Sequence, residues 1–132
     1  MPQSTAEKLG IRAGASVLAL GQPVSAAADL VGTVPDGVTF VPESDSRSAI
    51  VLMFADTVAD IQSGARKAYE ATAPEGRLWI AYRKGASRST VAGETAPLHR
   101  DTMQKALAEV GLDGVTLISL DDTWSAMRVK AV

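Results

Sequence analysis

Short apolar runs of strand length alternate with helix-type patterns along most of this chain. The most apolar window is residues 49–54, and residues 17–20 form an uninterrupted apolar run that ends at Gly21. Interior strands of a parallel sheet have such sequences, because helices cover both of their faces. The alternation therefore predicts βαβ units and an α/β fold with a mostly parallel sheet.

The helices of this alternation are marked by their end signals. Thr57 and Asp60 have the spacing of a capping box, which predicts a helix directly after Thr57. Ser25 is placed to cap a short helix over residues 26–31. Gly32 and Gly111 are suited to end helices, so a further helix is predicted from Pro97 to residue 110. Further strands are predicted at residues 38–41, 77–82, 115–120 and 126–132.

Two connections carry turn signals. Residues 74–76, Pro-Glu-Gly, predict a turn that leads into the strand at residues 77–82. Residues 121–125 join the last two predicted strands, and a connection this short predicts an antiparallel hairpin. The sheet is therefore expected to be mostly parallel and to end in an antiparallel pair.

Length and composition indicate one folded domain spanning residues 1–132. Hydrophobic residues make up 46% of the chain and charged residues 21%, which are values of ordinary globular proteins. The formal net charge is −2 and no basic run stands out. Nucleic acid and anionic membranes are therefore not expected as partners.

The residue inventory narrows the possible chemistry. The chain has no cysteine, which excludes disulfides, thiolate zinc sites and a cysteine nucleophile, and its single histidine excludes a multi-histidine metal site. No metal site is predicted. The first residues lack the pattern of a secretory signal, and no apolar stretch approaches the roughly 20 residues that cross a bilayer. A cytoplasmic location is the expectation.

Residues 9–21 have the sequence LGIRAGASVLALG, and residues 73–80 have the sequence APEGRLWI. The first segment looks like the lead-in to the first strand of class I S-adenosylmethionine (SAM)-dependent methyltransferases, and the second is similar to a later turn and strand of that family. The likeness covers nearly the whole chain and implies a Rossmann-like three-layer sandwich with a C-terminal antiparallel hairpin. One βα unit is missing between residues 38–41 and 49–54. The chain also resembles a group of short uncharacterised bacterial proteins that end in a similar Asp-Asp-Thr-Trp-Ser-Ala hairpin, a likeness that names no activity.

The segment that would bind the cofactor departs from the methyltransferase pattern. The resemblance places an acid at the position of Ala19 and glycines at the positions of Pro23 and Ser25. Glycine reaches positive φ and leaves room for a ligand, whereas proline fixes φ near about −65° and has no N–H to donate. SAM is therefore possible but disfavoured as the cofactor by Ala19 and Pro23.

These departures favour a non-catalytic ligand-binding or regulatory module on a degenerate methyltransferase-like scaffold, with no catalytic residue assigned. A small anionic or nucleotide-like molecule is the expected ligand. One alternative is a SAM-dependent methyltransferase with an atypical cofactor loop. Another is a protein–protein interaction subunit that pairs with itself, as a homodimer, or with a larger enzyme through an exposed sheet edge or helix face.

Candidate ligand-binding residues follow from the rule that ligands of open α/β sheets bind beyond the carboxyl ends of the strands. Gly21 follows the first strand, Glu43 the second and Asp56 the third. The resemblance places Glu43 where an acid holds ribose hydroxyls. The structural alternatives are a simple strand-to-helix turn for Gly21, a solvated carboxylate for Glu43 and a helix cap for Asp56.

The later part of the chain adds basic and aromatic candidates at the same edge. A long polar loop, residues 83–96, carries Arg83, Lys84 and Arg88. His99 and Arg100 lie beside it in the sequence, and together these residues could attract an anionic ligand. The hairpin contributes Asp121, Asp122 and Trp124. The alternative is that the loop cations only solubilise the protein, while the aspartates stabilise the turn and the indole covers the end of the sheet.

Overall fold

The computed structural model describes residues 5–42, 47–83, 100–120 and 123–131. Four helices are described: α1 (Thr5–Leu9), α2 (Val24–Val31), α3 (Val58–Glu70) and α4 (Arg100–Glu109). The strands are β1 (Ser16–Leu20), β2 (Thr39–Val41), β3 (Ser48–Phe54), β4 (Thr72–Arg83), β5 (Leu112–Ser119) and β6 (Trp124–Ala131). Among the helices of these segments, none is both long enough and apolar enough to span a membrane.

The six strands form one sheet in the order β2-β1-β3-β4-β6-β5. The pairs among β2, β1, β3 and β4 are parallel, whereas β6 pairs antiparallel with both β4 and β5. Only six residues, 42–47, join β2 to β3. A parallel crossover that contains a helix needs about a dozen residues or more, so this connection is too short for a further βα unit. The predicted fold, with its missing unit and terminal hairpin, is confirmed.

Helices cover both faces of the sheet and give it three layers. Leu18, Met53 and Ile80 lie on the face that packs against α3 and α4. Val17, Leu52 and Trp79 lie on the opposite face, which packs against α1 and α2. Because successive side chains of a strand point to opposite faces, the uninterrupted apolar runs are buried from both sides.

The capping box of α3 is present as predicted. The hydroxyl of Thr57 accepts a hydrogen bond from the backbone N–H of Asp60 at 3.2 Å. The carboxylate of Asp60 accepts from the backbone N–H groups of Thr57 (3.2 Å) and Asp56 (2.9 Å). Two backbone donors at the start of α3 therefore bond to one carboxylate, and a third bonds to the Thr57 hydroxyl.

We expect Thr57→Ala to lower the free energy of unfolding by about 1 kcal/mol, because the Asp60 N–H then lacks its acceptor. Denaturant unfolding measures the change. Ser63→Ala is the matched control, since this exposed hydroxyl makes only a 3.4 Å contact with the carbonyl of Asp60 inside the same helix. An equal loss in both variants would contradict a capping role for Thr57.

Two local predictions need correction. Residues 74–76 do not form a turn before the strand but lie inside β4, where four residues, 73–76, face the single residue Ala49 of β3. A Cβ atom at Gly76 would lie 2.5 Å from the Ala49 carbonyl oxygen, so the two backbones approach closely at this irregularity. Helix α2 begins at Val24, after Pro23, and not after a Ser25 cap. The helix α1 was not predicted.

Candidate active site

Four residues lie at one edge of the sheet, where the central strands have their carboxyl ends. Gly21 follows β1, Asp56 follows β3 and Arg83 is the last residue of β4. Trp124 begins the antiparallel strand β6 and pairs with Arg83, so it lies at the same edge. We call this the carboxyl edge.

The turn from β1 to α2 is built around Gly21. Its φ is 86°, and a Cβ atom at this position would collide with the backbone carbonyl oxygen of Phe54. Pro23, with φ −58° and ψ 150°, is the N-cap of α2, and no side chain caps this helix. The first intrahelical bond runs from the N–H of Ala27 to the carbonyl of Pro23 at 3.1 Å. The amides of residues 24–26 therefore point to the carboxyl edge without intrahelical acceptors.

Asp56, Arg83 and two aromatic rings form a connected cluster. A carboxylate oxygen of Asp56, Oδ1, lies 3.4 Å from Nε of Arg83. The guanidinium carbon of Arg83 lies 5.2 Å from the centre of the Trp124 ring. The ring of Phe54 meets Trp124 edge-to-face, with 5.2 Å between centroids and 89° between planes. The arginine is thus held between a carboxylate and an indole.

The carboxylate of Asp56 is available to a ligand. The helix-cap alternative does not describe it, because Thr57 is the N-cap of α3 and Asp60 completes the capping box. Asp56 contributes only its backbone N–H to the cap. Its side chain is 52% exposed and that of Arg83 is 39% exposed, so solvent reaches both charged groups.

A cleft of about 580 Å³ opens from the carboxyl edge along α3. Its mouth is formed by Gly21, Gln22 and Asp56, and its apolar floor includes Leu18 and Met53. Other lining residues come from β1, from the end of β2 and from α3: Leu20, Pro42, Phe54, Asp60, Ser63, Gly64, Lys67 and Ala71. The volume lies in the usual range for small-molecule sites.

The structure places Gly21, Asp56 and Trp124 at the carboxyl edge, as their sequence positions predicted. Arg100 begins α4. The other candidates, Glu43, Lys84, Asp121 and Asp122, lie outside the described residues.

Phe54, Arg83 and Gln22 were not selected as site residues from the sequence. Arg83 was noted only as one of several loop cations. Its position at the end of a predicted strand could have identified it as a site residue, since a residue that ends a parallel strand lies at the carboxyl edge.

No protein-family model and no curated protein matches the sequence. Solved structures do match its fold. DhpI in its complex with S-adenosylhomocysteine (SAH) superposes with a TM-score of 0.59 at 11% identity, over 97% of this chain and 82% of that chain. A SAM-dependent methyltransferase from Thiobacillus denitrificans, also bound to SAH, superposes with a TM-score of 0.58 at 13% identity, over 100% of this chain and 92% of that chain. The chain has a reduced methyltransferase-like fold. The O-methyltransferase NcsB1 from neocarzinostatin biosynthesis superposes with a TM-score of 0.62 at 13% identity, over 99% of this chain and 51% of that chain. Its structure contains SAM and 2-hydroxy-5-methyl naphthoic acid.

These similarities correct the functional prediction. The interpretation as a non-catalytic module on a degenerate scaffold is wrong: the structures that share the fold include methyltransferases bound to SAM or SAH, which favour the methyltransferase alternative. The preference against an enzyme has no support from these structures. The objection from Pro23 also loses its physical basis. Gly21 supplies the positive φ, and Pro23 occupies an N-cap position whose fixed φ suits the entry to a helix.

Proposed function

We propose that this protein is a SAM-dependent methyltransferase that binds its cofactor at the carboxyl edge. The observation that carries the proposal is the glycine turn of β1, which opens into the cleft beside the uncapped start of α2. The shared fold with SAM- and SAH-bound proteins supports it.

The residues of the turn are compatible with the cofactor. SAM carries a carboxylate, an anionic group that helix N-termini bind well through their free amides and the helix dipole. The start of α2 offers the amides of residues 24–26 for this group, and Gly21 keeps the turn free of a side chain. Pro23 has no N–H of its own, but it precedes these three amides and removes none of them.

The ribose contact is assigned to Glu43. The support for this assignment is that Glu43 directly follows Pro42 in the sequence, and Pro42 lines the cleft. A carboxylate can accept hydrogen bonds from two neighbouring hydroxyls at once.

Asp56 and the aromatic cluster are assigned to the methyl acceptor. When bound, SAM supplies an electrophilic methyl group. The carboxylate of Asp56 can accept a hydrogen bond from the attacking hydroxyl or amine and orient it. Arg83 holds this carboxylate in place, while Phe54 and Trp124 provide an apolar wall that excludes water from one side.

Isothermal titration of the full chain with SAM and with SAH tests the proposal. We expect both to bind with dissociation constants between about 1 µM and 1 mM, the range of enzyme KM values. Absence of binding by both compounds contradicts the proposal.

A pair of variants at the first residue of α2 tests the assigned carboxylate contact. Val24→Pro removes one amide from the start of the helix, where proline is well tolerated, and Val24→Ala removes the same side chain but keeps the amide. We expect Val24→Pro to bind SAM several-fold more weakly than Val24→Ala, because a charge-assisted hydrogen bond is lost. Equal affinities would place the carboxylate elsewhere.

A further inference from the structure

A second cavity, of about 760 Å³, lies toward the edge of the sheet opposite the carboxyl edge. Its lining residues come from α1, from the connection between α1 and β1, and from β3 and β4. Ile50, near the start of β3, lines this cavity, whereas Phe54, at the end of the same strand, lines the cleft. Four residues of a strand span about 13 Å, so the two sites are separate. We call the second site the amino-edge cavity.

The lining of the amino-edge cavity is positively charged. Lys8, Arg12 and Arg77 contribute three cations, and Glu7 is the one acid among the described lining residues. Three positive side chains and one negative side chain give the lining a formal charge of +2, in a chain whose formal net charge is −2. Charge of one sign gathered in a concave site attracts ligands of the opposite sign, so the cavity favours an anion.

Arg77 packs against the backbone of Gly10, which lines the same cavity. A Cβ atom at Gly10 would lie 2.6 Å from Nη1 and 2.9 Å from Cζ of Arg77, so the guanidinium lies directly against the main chain at this residue. Gly10 also has a φ of 82°, which side chains disfavour. Glycine at this position therefore leaves the room that the guanidinium occupies.

Hydrogen bonds fix the chain around Gly10. Its N–H donates to the carbonyl of Glu7 at 3.1 Å. The indole N–H of Trp79, two residues beyond Arg77 on β4, donates to the carbonyl of Leu9 at 2.9 Å. The end of α1 and the strand that carries Arg77 are thus joined directly, so a ligand meets a guanidinium whose surroundings are already in place.

No described carboxylate forms an ion pair with the three cations of the cavity. The ion pairs between described residues join Arg66 to Glu70 and Arg83 to Asp56, at other places in the fold. Arg77 is partly buried, and its guanidinium offers five N–H donors in a planar fork that matches the oxygens of a phosphate or carboxylate. Because a partly buried charge is stabilised by an ionic partner, a bound anion would supply what the described side chains do not.

We propose that the amino-edge cavity binds the phosphate group of a small molecule, with Arg77 as the bidentate contact and Lys8 and Arg12 as the further cations. A phosphate group carries a charge between about −1.5 and −2 at pH 7 and three acceptor oxygens, which matches this lining better than a single carboxylate does. The volume of the cavity lies in the range of small-molecule sites, so the rest of the ligand also fits. The inference is independent of the proposed methyl transfer.

Isothermal titration of the full chain with inorganic pyrophosphate tests the inference. We expect the wild type to bind with a dissociation constant of about 1 mM or below. Arg77→Gln is expected to bind at least about tenfold more weakly, because charge-assisted hydrogen bonds are lost. Arg66→Gln is the matched control: it removes the same charge from an exposed arginine that already pairs with Glu70, and it is expected to keep the wild-type affinity. Absence of binding by the wild type, or an equal loss in both variants, overturns the inference.

A second pair of variants makes the test independent of how well Arg77→Gln folds. Lys8→Gln and Lys105→Gln make the same change at exposed lysines of α1 and α4, and Lys8 alone of the two lines the cavity. We expect pyrophosphate to bind several-fold more weakly to Lys8→Gln and with unchanged affinity to Lys105→Gln. Equal affinities of these two variants would contradict the proposed site.

Val24→Pro distinguishes the amino-edge cavity from the start of α2, the other place where the fold offers donors to an anion. Pyrophosphate is expected to bind this variant with wild-type affinity, because the two places lie at opposite edges of the sheet. A loss as large as that of Arg77→Gln would place the anion at the carboxyl edge and refute the inference.

Discussion

Gly21→Ala is expected to weaken SAM binding at least about tenfold, which corresponds to about 1.4 kcal/mol. The added Cβ would collide with the carbonyl oxygen of Phe54, which is backbone and cannot rotate away. The end of β1 or of β3 must therefore shift, and both line the mouth of the cleft. Titration with SAM, corrected for the folded fraction, measures the effect.

Gly32→Ala is the control that separates backbone strain from loss of the site. Gly32 has φ 78° but no atom within 4 Å of its Cβ position, and it ends α2 away from the carboxyl edge. Both substitutions carry a conformational cost of about 1–3 kcal/mol, and Gly21→Ala adds about 1–3 kcal/mol of steric strain. We expect Gly32→Ala to be less stable than the wild type yet to bind SAM with unchanged affinity. If Gly21→Ala kept wild-type affinity, the cofactor would not lie at this turn.

Local patterns were enough to predict most of the fold. The capping box of Thr57 and Asp60 and the helix-ending glycines at 32 and 111 act within one turn of the chain, so the sequence contains all the interacting groups. The two-sided burial of β1 and β3 follows from their uninterrupted apolar composition. The connection of residues 42–47 is too short for a βα unit whatever the surrounding structure.

Features that depend on strand register were not predictable in the same way. Residues 74–76 have a turn composition, and whether they form a turn or a bulge depends on their pairing with Ala49 of β3. The contact between Arg83 and Trp124 depends on the register of β4 with β6, which joins residues far apart in sequence.

The effect of Pro23 illustrates why the site was harder to predict than the fold. Proline was expected to make the cofactor turn unsuitable, because it fixes φ and lacks an N–H. The outcome depends on which residue of the turn needs positive φ, and the structure assigns that to Gly21. A comparison by residue type alone could not distinguish a proline at the N-cap of α2 from a proline at the position that needs a positive φ.

Trp79→Ala is expected to cause the largest loss of stability, about 3–5 kcal/mol. Trp79 is 2% exposed in the middle of β4, among the residues that pack α1 against the sheet. Its indole N–H also donates to the carbonyl of Leu9 at 2.9 Å, at the end of α1. Small domains are stable by about 5–15 kcal/mol in total, so this loss approaches the limit of folding. Denaturant unfolding measures the loss, provided that the slope of the free energy of unfolding against denaturant concentration is the same in both proteins.

Trp79→Phe separates packing from hydrogen bonding at the same position. Phenylalanine retains much of the apolar volume but leaves the Leu9 carbonyl without its donor, so we expect an intermediate loss of about 1–3 kcal/mol. The variant also leaves Trp124 as the single tryptophan, because the chain has two. The tryptophan fluorescence of this variant then reports on the carboxyl edge alone. We expect the variant to bind SAM with wild-type affinity, since Trp79 packs on the face of the sheet opposite the cleft floor. A loss as large as that of Trp79→Ala would mean that the hydrogen bond to α1, and not ring packing, dominates at this position.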